Sequence, residues 1–235
     1  MRVESGDRLT PLSEVVPKCI TPKSLAFEGA ALEHFLNACH RRRYPSRSAI
    51  FMAGDRADVL YYVIDGSLSI VADDDDGREL ILAYINKGEF IGELGLYVES
   101  PRREVQLRTR SSTELAEISH ERLLALFEGS LREDCPRILF AIGQQLTRRL
   151  LHTSRKVSRL AFLDVTGRIS RTLLDLCGEP EALSHPRGTQ IRVSRQELSR
   201  IVGCSREMAG RVLKQLEEQG KIAVAGKTIV VFGTR

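Results

Sequence analysis

The chain has 235 residues, 42% of them hydrophobic and 28% charged, and a formal net charge of +4. That is room for one large or two modest globular domains and excludes a disordered chain. Its five cysteines (Cys19, Cys39, Cys135, Cys177 and Cys204) are scattered with no C-x-x-C pair, which argues against a disulfide framework and the usual zinc or iron–sulfur spacings. No run approaches 18 apolar residues and no signal-peptide core opens the chain, so a cytoplasmic protein with no membrane segment is expected.

Residues 1–25 mix Pro, Ser, Asp and Arg without a period and are expected to form a loose tail. In "EGAALEHFLNACH", Ala31, Leu32, Phe35, Leu36 and Cys39 fall at helical spacing. Seven strand-like runs follow: "RRRYPSRSAIFMAG", "LYYVIDG", "SLSIVADDDDG", "RELILAYINKG", "FIGELGLY", "EVQLRTRSS" and "TELAEISH". Gly, Asp or Asn-Lys-Gly punctuates most of them, which predicts an antiparallel β-roll over residues 26–135, closed by a short helix at "ERLLALFEGS". Asp73 to Gly77, "DDDDG", reads as a solvated hairpin turn rather than a metal site.

A long helix is predicted over residues 136–163, with proline in its first turn. Leu139, Ile142, Leu146, Leu150, Thr153, Val157 and Leu160 recur on average every 3.5 residues, the period of a coiled-coil seam. A helix of this length, about 40 Å, exceeds what one small domain buries, so a symmetric homodimer is expected.

The last segment, residues 164–235, is basic: from Val165 onward twelve Lys/Arg face seven Asp/Glu. A polyanion-binding module is implied. In "VSRQELSRIVGCSREMAGRVLKQLEEQGK", Ser194 and Glu197 form a capping box that starts a short helix with Leu198, Ile201 and Val202 inward. Gly203 permits a tight turn, and Ser205 caps a second helix with Met208, Val212, Leu213 and Leu216 on one face. The other face carries Arg206, Glu207, Gly210, Arg211 and Lys214, with small Ala209 and Gly210 allowing close approach to a surface. This is a helix-turn-helix arrangement, and "KIAVAGKTIVVFG" supplies the hairpin of a wing. Arg206 and Arg211 suit guanine O6 and N7, and Glu207 suits cytosine N4. Arg195, Gln196, Arg200 and Lys214 suit phosphates or outer bases.

"LAFLDVTGRISRTLLDL", "HPRGTQIRVSRQELSRIVGCSREMAGRVLKQLEEQG" and "GKTIVVFGTR" resemble the cyclic-AMP receptor protein/FNR family of bacterial transcription regulators, and "GEFIGELGLY" resembles its cyclic-nucleotide-binding roll. The resemblance runs from about residue 27 to the end. It implies an α+β fold with an N-terminal roll, a dimerisation helix and a C-terminal winged helix-turn-helix. It also implies activation and repression of transcription by a homodimer on a TGTGA-like palindrome of double-stranded DNA, with RNA polymerase as a partner and no cofactor or metal. Arg206, Glu207 and Arg211 match the family's base-reading residues. Glu93 matches the glutamate that holds the ribose 2′-hydroxyl, Arg103 the arginine that pairs with the cyclic phosphate, and Thr153 and Ser154 the adenine contacts.

Glu104 departs from the pattern, standing where the family has a phosphate-bonding serine. A carboxylate about 4 Å from a phosphate at an effective dielectric near 20 opposes it by about 4 kcal/mol, so cyclic AMP is expected to bind weakly. Arg103 is expected to pair with Glu104 as readily as with a ligand. A guanine satisfies both signs, since a carboxylate accepts from N1–H and N2–H₂ while an arginine donates to O6 and N7. Cyclic di-GMP, held by Glu104, Arg102, Arg103 and basic groups such as Arg155, Lys156 and Arg159, is therefore the expected effector. "HRRRYPSR", "RRLLHTSRKVSRLAFLDVTGR" and Glu104 are also similar to a branch of the family made of global virulence regulators, whose DNA binding cyclic di-GMP inhibits. The alternatives are a cyclic-AMP-activated and a ligand-independent regulator of the same type.

Allosteric inhibition requires the ligand to prefer a DNA-incompetent arrangement. The joint is expected around Phe162 to Thr166, with Asp164 matching the family's hinge aspartate and able to cap the following helix. An enzyme is not expected: His34, His40, His120, His152 and His185 show no metal spacing, and no nucleophile motif accompanies them.

Overall fold

The structure, a computed structural model, describes residues 21–98 and 102–234. Most of the expected N-terminal tail lies outside the described residues. The chain divides into two compact units, with the boundary between Ser158 and Arg159.

In the first unit, α1 (Ala30–Ala38) leads into β1 (His40–Tyr44), β2 (Ala49–Phe51), β3 (Val59–Asp65), β4 (Ser67–Asp73), β5 (Glu79–Asn86), β6 (Phe90–Ile91), β7 (Gln106–Thr109) and β8 (Thr113–Ser119). All pairings are antiparallel, in two four-stranded sheets of order β1-β8-β3-β6 and β2-β7-β4-β5. The period of two along β3 explains how the layers form. Tyr61 and Val63 point between the sheets, joining Phe51, Leu68, Ile85, Ile91, Leu107 and Leu115. Leu60 and Tyr62 point outward, where α1, α2 (His120–Glu128) and the start of α3 (Cys135–Phe162) cover them through Phe35, Leu123, Ile138 and Ile142.

The turn at Asp73–Gly77 joins β4 to β5, and Asp74 receives the Arg78 backbone N–H and guanidinium at 2.8 and 2.7 Å. It is a hairpin turn, as the sequence suggested. "FIGELGLY", by contrast, is not one strand. Gly92 is left-handed at φ 88°, so β6 stops at Ile91 and a 3-10 turn covers Glu93–Leu96.

The long helix also departs from its expected seam. Ile142 is fully buried in the roll's outer core, while Leu139, Leu150, Val157 and Leu160 are exposed. A Cβ at the neighbouring Gly143 would meet nothing within 4 Å. The exposed positions Leu139, Gly143, Leu150, Thr153, Val157 and Leu160 fall on one heptad stripe, whose remaining position, Leu146, is half-buried and packs against the roll. Ile142 belongs to the roll because its side of the helix faces the sheet.

In the second unit, α4 (Val165–Cys177) is capped by Asp164, whose Oδ1 accepts from Gly167 N at 2.7 Å. Then come β9 (Leu183–His185), β10 (Gly188–Arg192), α5 (Arg195–Val202), α6 (Arg206–Glu218), β11 (Ile222–Ala225) and β12 (Thr228–Phe232). The strands form one antiparallel sheet of order β11-β12-β10-β9. The β9–β10 hairpin extends the two-stranded wing read from the sequence. One core joins Ile169 and Leu173 of α4, Leu198 and Val202 of α5, Val212, Leu213 and Leu216 of α6, and Ile229 and Val231 of β12. The fold is α+β: an antiparallel roll, a long helix and a winged helix-turn-helix.

Candidate functional site

The segment from Phe90 to Leu96 is held from three sides. From α3, Gln145 is buried and its amide spans one residue's main chain: Oε1 accepts from Phe90 N and Nε2 donates to Phe90 O, both at 2.6 Å. One turn later Arg149 donates from Nη2 to Phe90 O at 2.7 Å and from Nη1 to Glu93 Oε1 at 2.5 Å. Glu93 is thus a buried carboxylate already paired within its own chain. From β3 and α2 the approach is closer still. A Cβ at Gly92 would lie 2.4 Å from Val59 O and 2.8 Å from Arg103 Nη1, and one at Gly95 would lie 2.4 Å from His120 Cε1. His120 Nε2 is 3.0 Å from Gly92 O, and burial lowers the His120 pKa.

Arg103 lies against this segment. Its guanidinium is buried, donates from Nη2 to Val59 O at 2.7 Å and stacks over the Phe51 ring at 4.4 Å. Its Nε is buried with no hydrogen-bond partner, and burial lowers the pKa of the group. Glu104 points the other way and is exposed. The expected Arg103–Glu104 pair does not form: Arg103 is buried against the roll while Glu104, at a bend ahead of β7, is exposed. Arg102 is exposed and donates from Nη1 to Gly54 O at 2.7 Å.

Thr153 and Ser154 are both exposed on α3, and the Ser154 hydroxyl donates to Leu150 O at 2.9 Å. Lys156 is turned onto the roll, where Nζ donates to Ile81 O at 2.7 Å; burial lowers its pKa. Arg159 makes a two-toothed ion pair with Asp175 of α4, the helix that Asp164 caps. Phe162 is exposed. Sequence reading had no signal for Arg149 or Gln145, whose partners lie 55 to 59 residues away.

On α5 and α6 the local chemistry matches the expectation closely. Ser194 Oγ accepts from Glu197 N at 3.1 Å, Gly203 ends α5 in the left-handed region at φ 70°, and Ser205 Oγ accepts from Met208 N at 3.1 Å. These caps and turn fix where α6 begins. Arg206, Glu207, Arg211 and Lys214 are exposed along α6, and Arg195, Gln196 and Ser205 are exposed nearby; Arg200 is half-buried. Ala209, expected on the outer face, is fully buried, one residue after Met208 on the core side. Gly210 faces the Arg195 stem, whose Cδ would lie 3.6 Å from an added Cβ. It accommodates a side chain of its own unit.

A roll of this topology, followed by a long helix and a winged helix-turn-helix, is the architecture of a class of transcription regulators. Residues 41–130 match the cyclic nucleotide-binding domain, and residues 191–222 match the bacterial regulatory proteins of the crp family. The chain belongs to that family. It is 63% identical over 212 residues to the CRP-like protein Clp of Xanthomonas euvesicatoria pv. vesicatoria, covering 90% of this chain and 92% of the relative. The same identity and coverage hold for Clp of Xanthomonas campestris pv. campestris. Among solved structures, the c-di-GMP responsive global regulator CLP, which links cell–cell signalling to virulence gene expression in Xanthomonas campestris, matches with a TM-score of 0.84 at 63% identity, over 88% of this chain and 100% of that one. A CRP/FNR family transcriptional regulator from Thermus thermophilus shares the fold, with a TM-score of 0.68 at 23% identity, over 82% of this chain and 93% of that one.

Proposed function

We propose that this regulator binds palindromic, TGTGA-like duplex DNA as a cytoplasmic homodimer, and that cyclic di-GMP inhibits that binding to control virulence genes. One observation carries the DNA reading. α6 buries Ala209, Val212, Leu213 and Leu216 while exposing Arg206, Glu207, Arg211 and Lys214, on a start fixed by the Ser205 cap. In this reading Arg206, Glu207 and Arg211 read base edges, and Arg195, Gln196, Arg200, Ser205 and Lys214 engage phosphates or outer bases. The domain assignment follows: roll over residues 26–135, dimerisation helix and hinge over 136–163, DNA-binding domain over 164–235. The exposed apolar positions on α3, Leu139, Leu150, Val157 and Leu160, support the homodimer. RNA polymerase is the partner that a transcription regulator of this family requires.

The effector reading rests on the 63% identity to the c-di-GMP responsive CLP and on chemistry at the roll. Glu93 is paired with Arg149, and Arg103 is bonded to Val59 O and stacked on Phe51, so a mononucleotide meets groups that already hold partners within the chain. Exposed Arg102, Glu104, Thr153 and Ser154 offer both signs of charge and hydroxyls to a larger ligand. A ligand-independent ground state able to bind DNA is consistent with a site that its own side chains fill.

The test is a titration of operator binding, followed by fluorescence anisotropy, against cyclic di-GMP and cyclic AMP. Loss of binding with cyclic di-GMP alone is expected. Binding that instead requires cyclic AMP overturns the effector reading and leaves the DNA reading standing. Arg206→Ala is expected to cost about 1–3 kcal/mol at one base position; uniform weakening on all sequences makes it a phosphate contact.

A further inference from the structure

β11 is an edge strand of the wing sheet, so alternate N–H groups point away from β12 and need another acceptor. The outward N–H of Val224 is taken by the Glu217 carboxylate, with Oε1 at 2.8 Å. Glu217 sits in the last turn of α6, which holds no basic residue. A carboxylate there opposes the helix dipole and lies in the element that carries the exposed arginines. Both effects disfavour an acid at this position, so its hydrogen bond to the wing is the gain that explains it.

The intervening turn is equally constrained. Gly220 is left-handed at φ 67°, its N–H donates to Glu217 O at 2.9 Å, and Lys221 N donates to Leu216 O at 3.0 Å. Lys221 O then accepts from Phe232 N at 3.0 Å, starting the hairpin. The helix end and the first wing strand are therefore joined at the turn and again at Glu217, two fixed points on one strand. The hairpin tip carries exposed Gly226 and Lys227.

We infer that Glu217 is a positioning residue that sets the wing against the recognition helix, so that α6 and Lys227 engage one duplex together. The role rests on the DNA reading above. The turn bonds and buried Ile222 fix where the strand starts; the Glu217 bond to Val224 adds a point further along and ties the strand's outer edge directly to the helix.

The test uses the full chain and a labelled duplex carrying the palindrome, with affinity measured by anisotropy between 50 and 200 mM salt. Glu217→Gln keeps a carbonyl that accepts from Val224 N, whereas Glu217→Ala removes it. Glu217→Ala is expected to lower the salt slope by about 0.9 per engaged unit and affinity by about eightfold at 0.1 M salt, the counterion-release worth of one phosphate contact. Lys227→Ala is expected to do the same, and Glu217→Ala added to it to do nothing more. Glu217→Gln keeps the wild-type slope. If Ala and Gln both tighten binding equally with an unchanged slope, Glu217 is only a charge and the positioning role falls. A lower melting temperature for Glu217→Ala with an unchanged slope overturns it as well. A wild-type chain that binds no duplex at 50 mM salt removes the DNA reading and the positioning role together.

Discussion

Replacing Arg149 with Met keeps the apolar stem of the side chain but removes its guanidinium. Two things follow from the geometry. Glu93, with a side chain only 5% exposed, loses the cation 2.5 Å away. Phe90 O loses one of its two donors and retains Gln145. Stranding one partner of a buried ion pair costs about 3–5 kcal/mol. With a urea dependence of about 2 kcal/mol per molar, the unfolding midpoint should fall by roughly 2 M. The assay is built into the sequence. The chain has no Trp and five Tyr, Tyr44, Tyr61, Tyr62, Tyr84 and Tyr97, all in the first unit, so intrinsic fluorescence follows that unit alone. Glu93→Gln strands the arginine in turn, and the double variant removes both charges. It should lose less than the two single losses combined, by about 0.5–3 kcal/mol. Strict additivity, or a midpoint shift for Arg149→Met below about 0.3 M, would refute the idea that the two groups depend on each other.

Ile142→Ala should cost the first unit about 2–5 kcal/mol with no change in solution mass, because its side chain fills the roll's core. Leu150→Lys should leave tyrosine-detected stability nearly unchanged but halve the mass seen by light scattering, and the reverse pattern would restore Ile142 to the seam. Gly92→Ala should lose about 1–2 kcal/mol from its left-handed backbone alone, with more from the overlap with Val59 O and Arg103, read as a lower tyrosine-detected midpoint. His120 is held below its ordinary value of 6.5 by burial, so the unfolded chain takes up its proton first as pH falls. Stability of the first unit should therefore decline below about pH 6.5. His120→Gln should flatten that decline, and an unchanged pH profile would show that other groups cause it.

The recognition unit was legible because its signals are local. Ser194, Gly203 and Ser205 act on backbone within a few residues of themselves, and the apolar spacing of α6 is set by its own turn. The roll's strands were legible for the same reason, since glycine and aspartate punctuate them. Long-range choices were not. A period near 3.5 admits either Ile142 or Gly143 at one step of α3, and only the sheet beneath decides that the isoleucine turns inward. Arg103 and Glu104 look like partners in the sequence, yet the fold buries one and leaves the other exposed. Arg149 carries no mark that distinguishes it from Arg148, and its acceptor lies 56 residues away.

The sheet containing β1 and β6 ends, on either side, in a strand that would otherwise invite another protein's backbone. At one border β1 shows His40, Arg41, Arg42 and Arg43 to water. A like-charged copy approaching that border meets a row of cations before any amide can register. At the other border, Gln145 imitates a neighbouring strand, answering both polar groups of Phe90 with a single side chain. One rim is defended by repulsion and the other by prior engagement, so this sheet should resist growing by the addition of a strand from another copy.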